Sequence, residues 1–297
     1  MRLQEPYLPD GFDEFWKGVI EEADSAPLEF DRRHQSSVVR DGFQVDEFSF
    51  RGVKGETLNG WIASPLDARR SPAFQWIAPY GRWSMPPNEY GTRPGMVSLS
   101  FNFHGEPSFH EESYKPERGY FAKGIGSKET WVFKTMFQNS FIAQRILGSL
   151  PEVDPARCSA MGLSQGGGLA VWLGAFSPLV KSVVGDLPFG AARPLVFGQK
   201  LIRYPLKEIV DFMDEAEGNR SDAMHTMAYF DTVNLATKCN VPTLLTLGER
   251  DPAVKDFEVE SIYAALPGVK HLERIDWGHD WHPSMVERNQ EWMLKHA

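Results

Sequence analysis

The chain has 297 residues, 42% hydrophobic and 24% charged, proportions that give a globular protein a full core and exclude a disordered or low-complexity one. Its 31 Lys and Arg against 40 Asp and Glu leave a formal net charge of −9 at pH 7. With no basic cluster, it is repelled by phosphate backbones and anionic bilayers, so neither nucleic acid nor a membrane is an expected partner.

Two cysteines, Cys158 and Cys239, are too few to staple a chain of this size. Neither lies in a Cys/His spacing that binds metal, so both read as reduced core thiols and no metal is expected. The opening MRLQEPYLPDGFDEFW lacks the apolar stretch of a signal peptide, and no run approaches the ~18 apolar residues of a membrane span. The expected compartment is the cytoplasm.

In chain order, Asp10 to Glu22 sets Phe12, Phe15, Trp16, Val19 and Ile20 at helical spacing, with Asp10 as candidate cap. Two alternating runs follow, QVDEFSFRG and TLNGWIASP, joined by a Gly-containing turn, and predict an antiparallel hairpin. This helix and hairpin occupy residues 10–66. From Ala73 apolar strands alternate with helices: FQWIA, MVSLSFNF, a helix over Thr130 to Leu150, CSAMGLS, SVVGDLP, PTLLTLGERD and HLERIDW. That rhythm predicts an α/β fold, a mostly parallel doubly wound sheet with antiparallel N-terminal strands, in one domain spanning 1–297. Residues 186–230 break the rhythm with helical sequence alone. They predict a small helical cap insertion over the carboxyl ends of the strands, where such folds bind ligands.

The chemical signal is GLSQGGG, Gly162 to Gly168, which fits G-x-S-x-G with Ser164 at its centre. An apolar strand precedes it and a helix follows, the setting of a nucleophile elbow. A serine hydroxyl needs a base to take its proton and an acid to orient that base, and in this arrangement they follow in the order Ser, acid, His. Asp251, at the end of the strand LLTLG, is the candidate acid, with Glu249 its competitor in the turn. His279, after Gly278 in the closing loop, is the candidate base, with His282 its rival. An oxyanion hole takes one N–H from the residue after the nucleophile, here Gln165, and one from the loop after an early strand. In that loop Pro79 has no N–H to give, which leaves Tyr80. Trp83, Phe189, Phe212 and Tyr229 are expected to border the pocket and make it selective for short acyl chains.

These residues resemble family-seven carbohydrate esterases, the acetyl xylan esterases and cephalosporin C deacetylases. PDGFDEFWKGVIEEADSAPLEFD looks like that family's N-terminal helix and loop, and GYFAKGIGSKETWVFKTMFQNSFIAQRI like the segment before its elbow. VDPARCSAMGLSQGGGLA is similar to the elbow itself, and DLPFGAARP, YPLKEIVDFM, AYFDTVNLATKCNVPTLLTLGERD and GHD follow in the family's order. The resemblance covers essentially the whole chain. It implies an α/β-hydrolase fold, Ser164, Asp251 and His279 as triad, no cofactor, and deacetylation of a small acetylated sugar or cephalosporin-type ester. It also implies a homo-oligomer, commonly a ring-shaped hexamer. Two positions depart from the family: His104-Gly105-Glu106 stands where Arg-Gly-Gln is usual, and Pro79 aligns with a tyrosine that donates its N–H. The expected function is that of a serine carboxylesterase removing short acyl groups. An α/β-hydrolase acting on another ester or a peptide, and a non-catalytic binding protein of the same fold, are the alternatives.

Overall fold

The computed structural model describes residues 2–81, 85–110 and 119–297. Helix α1 (Phe12–Ser25) buries Phe12, Phe15, Trp16 and Val19 of the predicted apolar stripe together with Ala23, and leaves Ile20 half-buried. Asp10 does not cap it. The N-cap is Gly11 at φ 72°, a left-handed conformation that glycine takes without strain, and the Asp10 carbonyl instead accepts the Tyr229 hydroxyl at 2.5 Å.

The chain then lays down β1 (Phe30–His34), β2 (Phe43–Arg51), β3 (Thr57–Pro65), β4 (Ser71–Ile77) and β5 (Val97–Phe101). Next come α2 (Val132–Ser149), β6 (Val153–Leu163), α3 (Gln165–Phe176) and β7 (Val180–Asp186). Three helices, α4 (Arg193–Val196), α5 (Lys207–Glu215) and α6 (Asn219–Phe230), fill the segment expected as a cap. The chain closes with α7 (Thr232–Ala236), β8 (Thr243–Gly248), α8 (Asp256–Ala265), β9 (Lys270–Ile275) and α9 (Pro283–His296).

Among the described residues the strands form one sheet in the order β1-β2-β3-β5-β4-β6-β7-β8-β9. From β5 through β9 every pairing is parallel, and β1, β2 and β3 join antiparallel. This is the doubly wound sheet with antiparallel leading strands that the sequence predicts. Its inner strands are buried on both faces: β8 is buried at every position. Helices α1, α2, α3 and α6 to α8 pack on one face and α9 on the other, where Met285 and Met293 meet Phe74, Met161 and Val184. Strand β1 had no signal, because its FDRRH exposes most side chains and carries no alternation. No helix among the described residues is long and apolar enough to cross a membrane.

Candidate active site

Ser164 sits between the last residue of β6 and the first of α3, with φ 55° and ψ −116°. A non-glycine residue held there carries about 1–3 kcal/mol of strain, which its surroundings must offset. They do so through backbone bonds. The Ser164 N–H donates to the Asp186 carbonyl at 2.9 Å, and its own carbonyl accepts from Gly168 at 3.1 Å and Phe189 at 2.9 Å. Gly162 and Gly166 are needed for the close approach: a Cβ on either would collide with main chain, Gly166 with the Ile77 carbonyl. The turn thus presents the hydroxyl at the carboxyl edge of the sheet, beside the N-terminus of α3.

Two neighbouring strand ends bring the partners. The Ser164 hydroxyl lies 2.9 Å from His279 Nε2, and His279 Nδ1 lies 2.6 Å from Asp251 Oδ2. A carboxylate can only accept, so Nδ1 carries the proton and Nε2 is free to accept from the serine. The other Asp251 oxygen accepts the amides of Ala253 at 2.7 Å and Val254 at 3.0 Å, which fixes the carboxylate. The loops carrying these residues pack together through Gly248, where a Cβ would stand 2.9 Å from the Trp277 carbonyl. The amides of Glu249 and Arg250 donate across this seam to Ile275 and Trp277.

The competitors are elsewhere. Glu249 is exposed. His282 caps α9, its Nδ1 accepting the Ser284 amide at 3.2 Å.

Pro79, Tyr80 and Gly81 line the same cavity as Ser164 and His279, so the loop after β4 reaches the side of Ser164. The Tyr80 hydroxyl stands 3.1 Å from that of Tyr204. Gln165 is held by its side chain, whose Oε1 accepts the Tyr120 hydroxyl at 2.7 Å. His104 packs behind this pair, its ring centre 4.3 Å from that of Tyr120, and burial lowers its pKa to about 4. The imidazole is therefore neutral at neutral pH, and the charge of the family's usual arginine is not reproduced.

The cavity measures about 750 Å³. Residues 196–206 of the helical insertion supply one wall, including Val196, Leu201, Ile202 and Tyr204. Of the aromatic residues expected to border it, Phe189 does. Phe212 is not among the lining residues, and Tyr229 is buried against Phe12 and Phe15 of α1. Their helical spacing could not tell the cavity side of the insertion from its core side. Trp83 lies outside the described residues. Lys255 and Glu258 also line the cavity and carried no signal, because a charged residue after a strand reads as a solvated loop.

Asp186 is the other residue that the sequence did not disclose. Fully buried at the end of β7, its carboxylate accepts from the hydroxyls of Tyr90, at 2.7 Å, and Thr246, and from Asn289 Nδ2 at 2.6 Å. The residue that holds the Ser164 amide thus also ties β7 to β8 and α9. Among the described residues no cluster of His, Cys, Asp or Glu is arranged to hold a metal ion.

A family model for acetyl xylan esterases (AXE1) matches residues 3–296. Acetyl esterase Axe7A of Xylanibacter ruminicola is 24% identical over 275 residues, covering 84% of this chain. The chain spans 58% of that protein's length. Among solved structures, an acetyl xylan esterase from Paenibacillus sp. R4 superposes with a TM-score of 0.88 at 21% identity, over 99% of this chain and 97% of that one. Acetyl xylan esterase 1 from Thermoanaerobacterium sp. JW/SL YS485 gives 0.85 at 22% identity, over 99% and 95%. These likenesses show the α/β-hydrolase fold. With all but a few terminal residues matched, the chain belongs to the acetyl xylan esterase family.

Proposed function

We propose that the protein is a serine esterase that removes short acyl groups, acetyl foremost, from acetylated carbohydrates or similar alcohols. The observation that carries this reading is the unbroken chain of contacts Ser164–His279–Asp251 on the floor of the cavity, at 2.9 and 2.6 Å. The names of its relatives, acetyl and acetyl xylan esterases, favour acetyl.

In the reaction so read, Ser164 Oγ attacks the ester carbonyl carbon while His279 Nε2 takes its proton. The developing oxyanion is held by the amides of Gln165 and Tyr80. His279 then gives the proton to the departing alcohol, leaving an acyl group on Ser164. Water, deprotonated by the same imidazole, attacks that ester and releases the carboxylic acid and the free serine. Asp251 holds the ring in the required tautomer and faces the imidazolium in both steps.

The test is turnover of p-nitrophenyl esters of rising chain length, together with labelling by a fluorophosphonate. Acetate should be hydrolysed faster than butyrate, and the label should map to Ser164. A label on another residue, or no turnover of any ester, would overturn the reading.

A further inference from the structure

The triad leaves several polar groups of the cavity unused, and Glu258 is the deeply buried one. Glu258, on the first turn of α8, is 2% exposed and lines the same cavity as Ser164 and His279. One of its oxygens accepts the Lys255 amide at 2.9 Å. The other, Oε2, is buried and has no hydrogen-bond partner. A buried carboxylate oxygen without a donor is costly, so an unmatched one in a ligand cavity marks a place where the ligand brings the donor.

The surroundings say which donor. Arg203 and Lys255 line the cavity as well, and the buried guanidinium of Arg193 attracts Glu258 while the carboxylates of Asp231 and Asp251 repel it. With charges of both signs around it, nothing draws in a charged donor, and a neutral hydroxyl satisfies the oxygen without adding charge to the cavity. The cavity, about 750 Å³, is the size of a site for a whole sugar-sized molecule, far beyond an acetyl group. We propose that Glu258 Oε2 accepts a hydrogen bond from a hydroxyl of the substrate's alcohol half, so that this side chain selects polyhydroxylated esters over simple alkyl ones. The proposal rests on the esterase reading and assigns Glu258 no part in the bond-breaking steps.

The experiment compares glycerol monoacetate, which has two free hydroxyls, with ethyl acetate, which has none. At pH 8.5, above the value of about 7 to which burial raises Glu258, so that the side chain is a carboxylate, kcat and KM are measured for both esters with the wild type, Glu258→Leu and Glu258→Gln. The ratio of kcat/KM for the two esters should fall about tenfold in Glu258→Leu, through KM. In Glu258→Gln, whose amide oxygen still accepts, it should fall only about threefold. A ratio unchanged in both variants, or a loss shared equally by both esters, overturns the role of Glu258. Should Glu258→Leu fail to fold, the threefold change in Glu258→Gln decides alone. If the wild type hydrolyses neither ester, the esterase reading fails, and calorimetric titration with xylotriose tests Glu258 separately. Binding weakened about tenfold in Glu258→Leu supports it; equal or undetectable binding in both proteins overturns it.

Discussion

The floor of the cavity is held by main chain, whereas the wall contributed by residues 196–206 is held by side chains. On the floor, Ser164 spends its N–H and carbonyl on Asp186, Gly168 and Phe189, and the Asp251 and His279 loops exchange backbone bonds across Gly248. The wall is tied to the rest of the protein by the Tyr204–Tyr80 hydroxyl contact and, two residues beyond the wall on α5, by the Glu208 carboxylate, which accepts the amides of Gly119 at 2.6 Å and Phe121 at 3.0 Å. Backbone bonds persist through most substitutions, but a side-chain tie is lost with a single one. The proposed chemistry therefore sits where substitution disturbs geometry least, and the proposed fit to substrate where it can be changed one residue at a time.

The largest effect belongs to the floor. Ser164→Ala should lower kcat about 10⁶-fold on p-nitrophenyl acetate while leaving the melting temperature within a few degrees. Residual activity within tenfold of the parent would place the chemistry elsewhere.

On the cavity side of α8, burial raises the pKa of Glu258 to about 7, opposed by attraction to Arg193 and reinforced by Asp231 and Asp251. The folded protein thus holds this proton more tightly than the unfolded chain. Its stabilising contribution is complete below about pH 4.5 and disappears as pH rises through 7, by at most about 3 kcal/mol. Glu258→Gln keeps a neutral group at all pH values. Its denaturation midpoint should gain on the wild type between pH 4.5 and 8, and parallel curves would refute the assignment.

Cutting the wall's tie with Glu208→Ala should destabilise the protein by about 2 kcal/mol, because the Phe121 amide is left buried without an acceptor. Urea unfolding measures that loss, and kinetics should show KM rising before kcat falls. Equal losses in both would mean that wall and floor are one rigid unit.

The smallest effect is expected from Tyr80→Phe. If the amide of residue 80 is the oxyanion donor, losing only the hydroxyl contact to Tyr204 should lower kcat/KM less than tenfold, about 1 kcal/mol. A loss of hundredfold or more would make the phenol itself the donor.

Much of this was legible in the sequence because the signals are local. The inner strands read as apolar runs, and GLSQGGG fits a turn that only small residues allow. Strand β1 was not legible, since an edge strand pairs on one side and its side chains need no pattern. The Asp10 cap failed for a different reason: Gly11, in the left-handed conformation, makes the N-terminal turn itself and leaves the carboxylate one residue too early to cap.

By itself the sequence determined the α/β rhythm, the strand-to-helix turn at Ser164, the order of the candidate acid and base after it, and the resemblance of the whole chain to one family. Each of these is written within a few residues or in their order along the chain. Only the tertiary structure brought His279 rather than His282, and Asp251 rather than Glu249, into the line of contacts with Ser164, and showed which faces of residues 186–230 meet the cavity. It alone brought Asp186 beneath the elbow and Glu258 to the cavity wall. The physical reason is that burial and partnership are properties of three-dimensional neighbours: a carboxylate on a helix reads as solvated until the elements packed around it take its water away.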